Sequence, residues 1–143
     1  MVEAELAYSQ AAADGGDFES TSKYGLFLWR MGRHEQARSH LERALSLALQ
    51  AEATPVEGTQ VAHQDIVRIL LLLAKHYAAQ EKYTEAQSLY LSLVNRLRDA
   101  HELETDAGAG ALERLAETHI KKKDYESAEP LLRKAMDIRS KLT

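Results

Sequence analysis

The stretch GRHEQARSHLERAL, residues 32–45, places His34, His40, Glu35 and Glu42 on one amphipathic segment, the residue types that hold a divalent metal. Their spacing decides against it. His34 and His40 are six residues apart, so at about 100° per residue on a helix they point about 120° away from each other and do not share an ion. A zinc helix instead sets two histidines four apart with a glutamate between them, and no HExxH occurs in the chain. His63, His76, His101 and His119 stand singly, without a second ligand at useful spacing. The GAG at 108–110 lacks the Lys-Ser/Thr context of a phosphate loop, and no nucleophile–base pair is read from spacing. We expect no catalytic residue, metal ligand or cofactor, and no enzyme.

What remains is a chain of 143 residues, 45% apolar and 28% charged, long enough for one sizeable core. Two prolines and runs of Ala, Leu, Glu, Lys, Arg and Gln predict an all-α fold. ILLLLA at 69–74 is flanked by Arg68 and Lys75, too short a run for membrane insertion, and MVEAELAYSQ is no signal peptide. Zero cysteines exclude disulfides and thiolate chemistry, and a cytoplasmic setting is the default. A net charge of −4 argues against nucleic acid as a partner, since neutralising phosphates demands a clustered basic excess.

The opening stretch contains a pattern that returns. EQARSHLERAL (35–45), TEAQSLYLSLV (84–94) and ESAEPLLRKAM (126–136) align Ala37, Ala86 and Ala128, followed four residues on by Leu41, Tyr90 and Leu132 and then by Ala44, Leu93 and Ala135. Ala4, Tyr8 and Ala11 repeat the stripe near the N-terminus. Upstream of each full copy is a large–small pair, Tyr24-Gly25, Leu73-Ala74 and Leu115-Ala116, with Leu28, Tyr77 and His119 three residues beyond the small one. Helices that cross closely need a residue without bulk at the crossing and larger side chains around it. The pattern resembles the tetratricopeptide repeat, a helix–turn–helix unit, over nearly the whole chain. The copies lie 33, 49 and 42 residues apart, against a usual period of about 34. The 42-residue step and YESAEPLLRKAMDIRSKL (125–142) are similar to the longer-helix variant of kinesin light chains.

The resemblance implies a solenoid, a right-handed superhelix of antiparallel helix pairs, forming a single domain over 1–143. It would comprise a second helix of an incomplete repeat at 1–14 and repeats at 18–53, 55–104 and 106–142. About seven helices are expected, near 2–13, 18–31, 34–53, 55–80, 84–104, 106–121 and 124–142. Asp17, Thr54 with Pro55, Thr84, Thr105 and Asp124 read as helix starts, and Gly32 as a left-handed stop. Gly58, Gly108 and Gly110 weaken their helices by about 1 kcal/mol each relative to alanine. Pro130, six residues into the last helix, is expected to bend or restart it. A chain that begins on an unpaired second helix and stops without a polar cap suggests a fragment of a longer protein, or ends that pack on a partner.

The resemblance further implies that first helices line an inner surface on which a partner peptide lies. The positions it assigns to that groove include Lys23, Leu26, Trp29 and Arg30 from the first full repeat and Arg68, Leu72 and Lys75 from the second. The third supplies Arg114, Glu117 and Lys121. Six of the inner positions are basic and three acidic, which favours an acidic segment of another protein as ligand. Co-chaperone members clamp a terminal carboxylate, but the corresponding residues here are Ser22, Leu26, Leu72, Gly110 and Arg114, and only Arg114 agrees. The paired asparagines of kinesin light chains are replaced by Ser22-Lys23, Leu71-Leu72 and Glu113-Arg114. The expected function is therefore a non-catalytic adaptor for an extended, acidic peptide, the alternative being self-assembly into a homo-oligomer through the ends of the solenoid.

Overall fold

The computed structural model describes residues 17–53 and 63–142. Among them every regular element is an α-helix: α1 Phe18–Arg30, α2 His34–Ala53, α3 His63–Ala79, α4 Tyr83–Asp99, α5 Asp106–Lys121 and α6 Tyr125–Leu142. The expected helix at 2–13, its Ala4 stripe, the Thr54–Pro55 start and Gly58 lie outside the described residues. The chain divides into two compact units, the first ending at Ile69 and the second beginning at Leu70. No described helix is long and apolar enough to cross a membrane.

In the first unit α1 packs along α2. Asp17 opens α1 by accepting a hydrogen bond from the Ser20 backbone N–H at 2.8 Å, which holds its carboxyl below the usual range. Gly25 is where the helices meet: a Cβ there would stand 2.8 Å from Leu41 Cδ2 and 3.3 Å from the Leu41 nitrogen. Leu28, Ala37, Leu41, Ala44 and Ala48 are fully buried. The large–small pair read from the sequence is thus a close helix crossing.

The second unit repeats the device. Ala74, Ala86, Ala116 and Ala128 are buried at the corresponding positions, α5 packs on α4, and α6 packs along α5. Across both units the three helix pairs turn in the same way. Gly32, Glu81 and Lys123 take positive φ of 80°, 61° and 64°, each five residues before its repeat alanine. In each turn the next residue's N–H reaches back to a first-helix carbonyl: Arg33 to Leu28 at 3.0 Å, Lys82 to Tyr77 at 2.9 Å and Asp124 to His119 at 2.8 Å. Only the first carries glycine, so Gly32 alone was readable as a stop.

Three expectations are corrected. The start read at Thr84 falls inside α4, whose N-cap is Lys82 with no side-chain capping bond. The left-handed turn at Glu81 fixes where the helix begins, just as Asp124 follows Lys123 and accepts from the Ser127 N–H at 3.3 Å. The same helix ends at Asp99 rather than near 104, because His101 turns left-handed at φ 60° and the Glu102 N–H closes on the Leu97 carbonyl at 2.7 Å. Pro130 lies within α6 without interrupting it; Ala128 and Ala135, buried on either side of it, hold both flanks in place.

Residues 100–105 then lead into α5, which Thr105 caps by accepting from the Gly108 N–H at 3.1 Å. Leu103, buried in this connection, approaches so closely that a Cβ on Gly108 would overlap its carbonyl oxygen. Gly108 therefore permits the contact between connection and helix, a role opposite to the weakening read from its propensity. Gly110 has no such role, its added Cβ meeting nothing nearer than the Arg139 side chain at 3.9 Å.

The two glycines separate in one experiment. Gly108→Ala is expected to lower the free energy of unfolding by on the order of 2–3 kcal/mol, the scale of an overpacked interior. Gly110→Ala should raise it by about 0.5–1 kcal/mol through helix propensity. Urea denaturation followed by circular dichroism measures both, and equal effects would refute the assignment.

Candidate functional site

The histidines that raised the question of metal chemistry are occupied with packing. His34, at the start of α2, stacks on Trp29 with ring centroids 4.1 Å apart and planes 23° from parallel. His40 meets Tyr24 edge-on at 4.6 Å, bridging α2 and α1. Burial chiefly, with a smaller contribution from nearby Arg43, pushes the His40 pKa below its ordinary value.

Of the groove positions expected in the first unit, Lys23 forms an ion pair with Glu19 at 2.8 Å and Trp29 is half-buried under His34. Leu26 is half-buried, and Arg30 and Arg68 are exposed on α1 and α3. In the second unit Leu72 is half-buried and lies outside the cleft of about 320 Å³ on which Lys75, Arg114, Glu117 and Lys121 converge.

Three helices build this cleft. Lys75 lies on α3 one turn before the small side chains of Ala78 and Ala79, which leave room beside it. From α4 come Tyr83 and Tyr90. Arg114, Glu117, Thr118 and Lys121 follow one another at helical spacing along α5. Tyr90 is only 3% exposed, yet its hydroxyl lies beside the Arg114 guanidinium at the cleft. Burial raises the hydroxyl pKa, opposed by Arg114 and reinforced by Glu117, so the group is a protonated donor at neutral pH. Thr118 Oγ1 donates to the Arg114 carbonyl at 2.7 Å, committing its proton within the helix.

The cleft's charges differ from those around it. In the same unit Arg133, Lys134, Arg139 and Lys141 are each paired with carboxylates. Among the described residues Lys75, Arg114 and Lys121 form no ion pair, and a single carboxylate, Glu117, shares their cleft. The arrangement has no nucleophile poised on a base. It is a concave, partly apolar surface with a local excess of positive charge.

Tyr83 and Tyr90 were not among the groove residues expected from sequence. Tyr90 was legible only as part of the buried stripe; its signal is a hydroxyl-tipped ring at the position where the other two full copies have Leu41 and Leu132.

Two family models, both described as tetratricopeptide repeat, match residues 22–50 and 65–141, the second over more than half of the chain. The chain belongs to the tetratricopeptide repeat family. No match is found among curated proteins. Tetratricopeptide repeats generally mediate contacts between proteins, and the matched segments contain both the repeat alanines and the cleft.

The His40 contact gives a pH signature. Because its pKa is lower in the folded chain than in the unfolded one, the unfolded state takes up the proton first. Its contribution to stability is present above about pH 6.5 and is lost as pH falls below that value through the lower pKa of the folded chain. Thermal unfolding between about pH 7.5 and pH 5 should show a smaller acid-induced loss for His40→Gln than for the parent chain. Identical losses would remove His40 from the explanation.

Proposed function

We propose that this tetratricopeptide repeat protein is a non-catalytic adaptor that binds an extended, acidic segment of another protein across the cleft between α3, α4 and α5. The observation that carries the reading is the set of three cations, Lys75, Arg114 and Lys121, without carboxylate partners in a cleft that also presents Ala78, Ala79 and the Tyr83 ring. Acidic side chains of a ligand meet the cations, and apolar side chains between them rest on the alanines and the tyrosine. Electrostatic matching of this kind sets specificity and association rate more than total affinity.

A second reading, self-assembly, is favoured by one observation on α6. Leu132 and Met136 are 38% and 72% exposed, although Tyr90 and Val94, 42 residues earlier at the same repeat positions, are buried. A second copy would cover this face. Sedimentation over a concentration series is then expected to show association that Met136→Lys abolishes, and a strictly monomeric parent chain discards the reading.

For the adaptor reading, a labelled peptide of glutamate and leucine and its lysine–leucine counterpart are the probes. Fluorescence anisotropy should detect binding of the acidic peptide alone, weakening as salt is raised. Lys75→Glu combined with Arg114→Glu should cost at least about tenfold in affinity, or about 1.4 kcal/mol. Unchanged affinity in the charge-reversed chain rules out the cleft as the binding surface.

A further inference from the structure

We propose that the cleft between α3, α4 and α5 is a receptor for a phosphorylated side chain, so that phosphorylation of the partner segment switches binding on. The inference rests on the adaptor reading and names the group that the cleft selects.

Charge balance is the first argument. Lys75, Arg114 and Lys121 set three positive charges against the one negative charge of Glu117, leaving two unneutralised. A glutamate or aspartate brings one negative charge, whereas a phosphate monoester carries about −1.5 to −2 at neutral pH. The dianion balances the cleft and a carboxylate leaves it half balanced. Glu117 repels either anion, the dianion more strongly, so the preference for phosphate rests on engaging all three cations at once.

Donor geometry is the second. Phosphate offers three acceptor oxygens, and the cleft offers donors from three separate helices: the Lys75 ammonium on α3, the Tyr90 hydroxyl on α4, and the Arg114 guanidinium with the Lys121 ammonium on α5. The planar fork of arginine suits two oxygens of one phosphate, and the lysines supply point charges. Burial of the Tyr90 ring keeps its hydroxyl at the base of the cleft, and the Thr118 bond to the Arg114 carbonyl keeps that neighbouring hydroxyl from competing. Ala78 and Ala79 present only methyl groups where bulkier residues would close the space.

The test uses three peptides identical except at one central residue: serine, glutamate or phosphoserine. Anisotropy at about pH 7.5 should show the phosphoserine peptide binding at least about tenfold tighter than the glutamate peptide, with the serine peptide weakest. Lowering the pH through the second phosphate pKa, near 6, should erode the advantage as the dianion gains a proton. Arg114→Gln with Lys121→Gln should bring phosphoserine down to the glutamate level, Tyr90→Phe should reduce the advantage, and Glu117→Gln should widen it, because the dianion is relieved of the larger repulsion. Circular dichroism checks that each variant is folded; the three altered α5 residues are exposed. A phosphoserine peptide no tighter than glutamate overturns the inference, as does an advantage that survives the double substitution. So does inorganic phosphate displacing the labelled peptide as tightly as the phosphopeptide does, which would mark a site for the free ion. If the glutamate peptide binds through Lys75 and Arg114 without a phosphate advantage, only this inference falls; if charge reversal affects neither peptide, the adaptor reading falls with it.

Discussion

The structure depends on how closely its paired helices approach. At Gly25 there is no space for even a methyl group without displacing Leu41, and Ala37, Ala74, Ala86 and Ala116 are fully buried at the matching points of the other crossings. Small residues at a crossing let the flanking large ones interdigitate, and burying a side chain such as Leu28 or Leu41 stabilises by roughly 1.5–3 kcal/mol. The polar residues are then left to the other faces. A larger residue at any of these points would separate the helices and forfeit contacts along their length, which is why the pattern recurs in register although the copies differ in spacing.

The cleft is a consequence of this packing. Tyr90 occupies the large position of its stripe and is buried, but a tyrosine is longer than leucine and ends in a hydroxyl that must reach a polar neighbour. Arg114 supplies that neighbour from α5, and the ring thereby carries a hydrogen-bonding group from the core to the base of an open surface. On α5 itself the buried Ala111, Leu112, Leu115 and Ala116 lie toward the core, which leaves Arg114, Glu117 and Lys121 exposed on the side that faces the cleft. One helix thus contributes both the packing and the charge, by the same 3.6-residue period.

That periodicity made much of the fold legible. The helix pairs follow from stripes at Ala37, Ala86 and Ala128, because burial of one helical face leaves a regular mark on residue types. The turns left a weaker mark. Glu81, His101 and Lys123 adopt the left-handed conformation that favours glycine, and a side chain with ordinary preferences conceals it. The end of α4, set by the turn at His101, was hidden for the same reason, and the approach of Leu103 to Gly108 just beyond it is a contact that composition does not encode. At the site, Lys75, Arg114, Glu117 and Lys121 were placed on one surface because family geometry assigns exposed first-helix positions to it. Tyr83 and Tyr90 belong to a second helix and fell outside that rule. Lys23 and Trp29, expected on the same surface, have neighbours within their own unit that spacing did not single out, Glu19 for one and His34 for the other.

A net charge of −4 does not conflict with the acidic ligand proposed for the cleft. At physiological ionic strength the field of an exposed charge is largely screened beyond about 8 Å, so distant carboxylates contribute little at the cleft. Carboxylates at the start of α5 and on its other side are engaged elsewhere: Glu104 holds Lys134 at 2.8 Å, and Asp106 and Glu113 both hold Arg139. Each such pair cancels its own charge locally and leaves the field at the cleft to the residues that line it. The net charge governs solubility and encounters at long range, whereas the local sign at the cleft is set by four side chains on two helices. Selectivity can therefore change with a single substitution on α5 while the overall charge hardly moves.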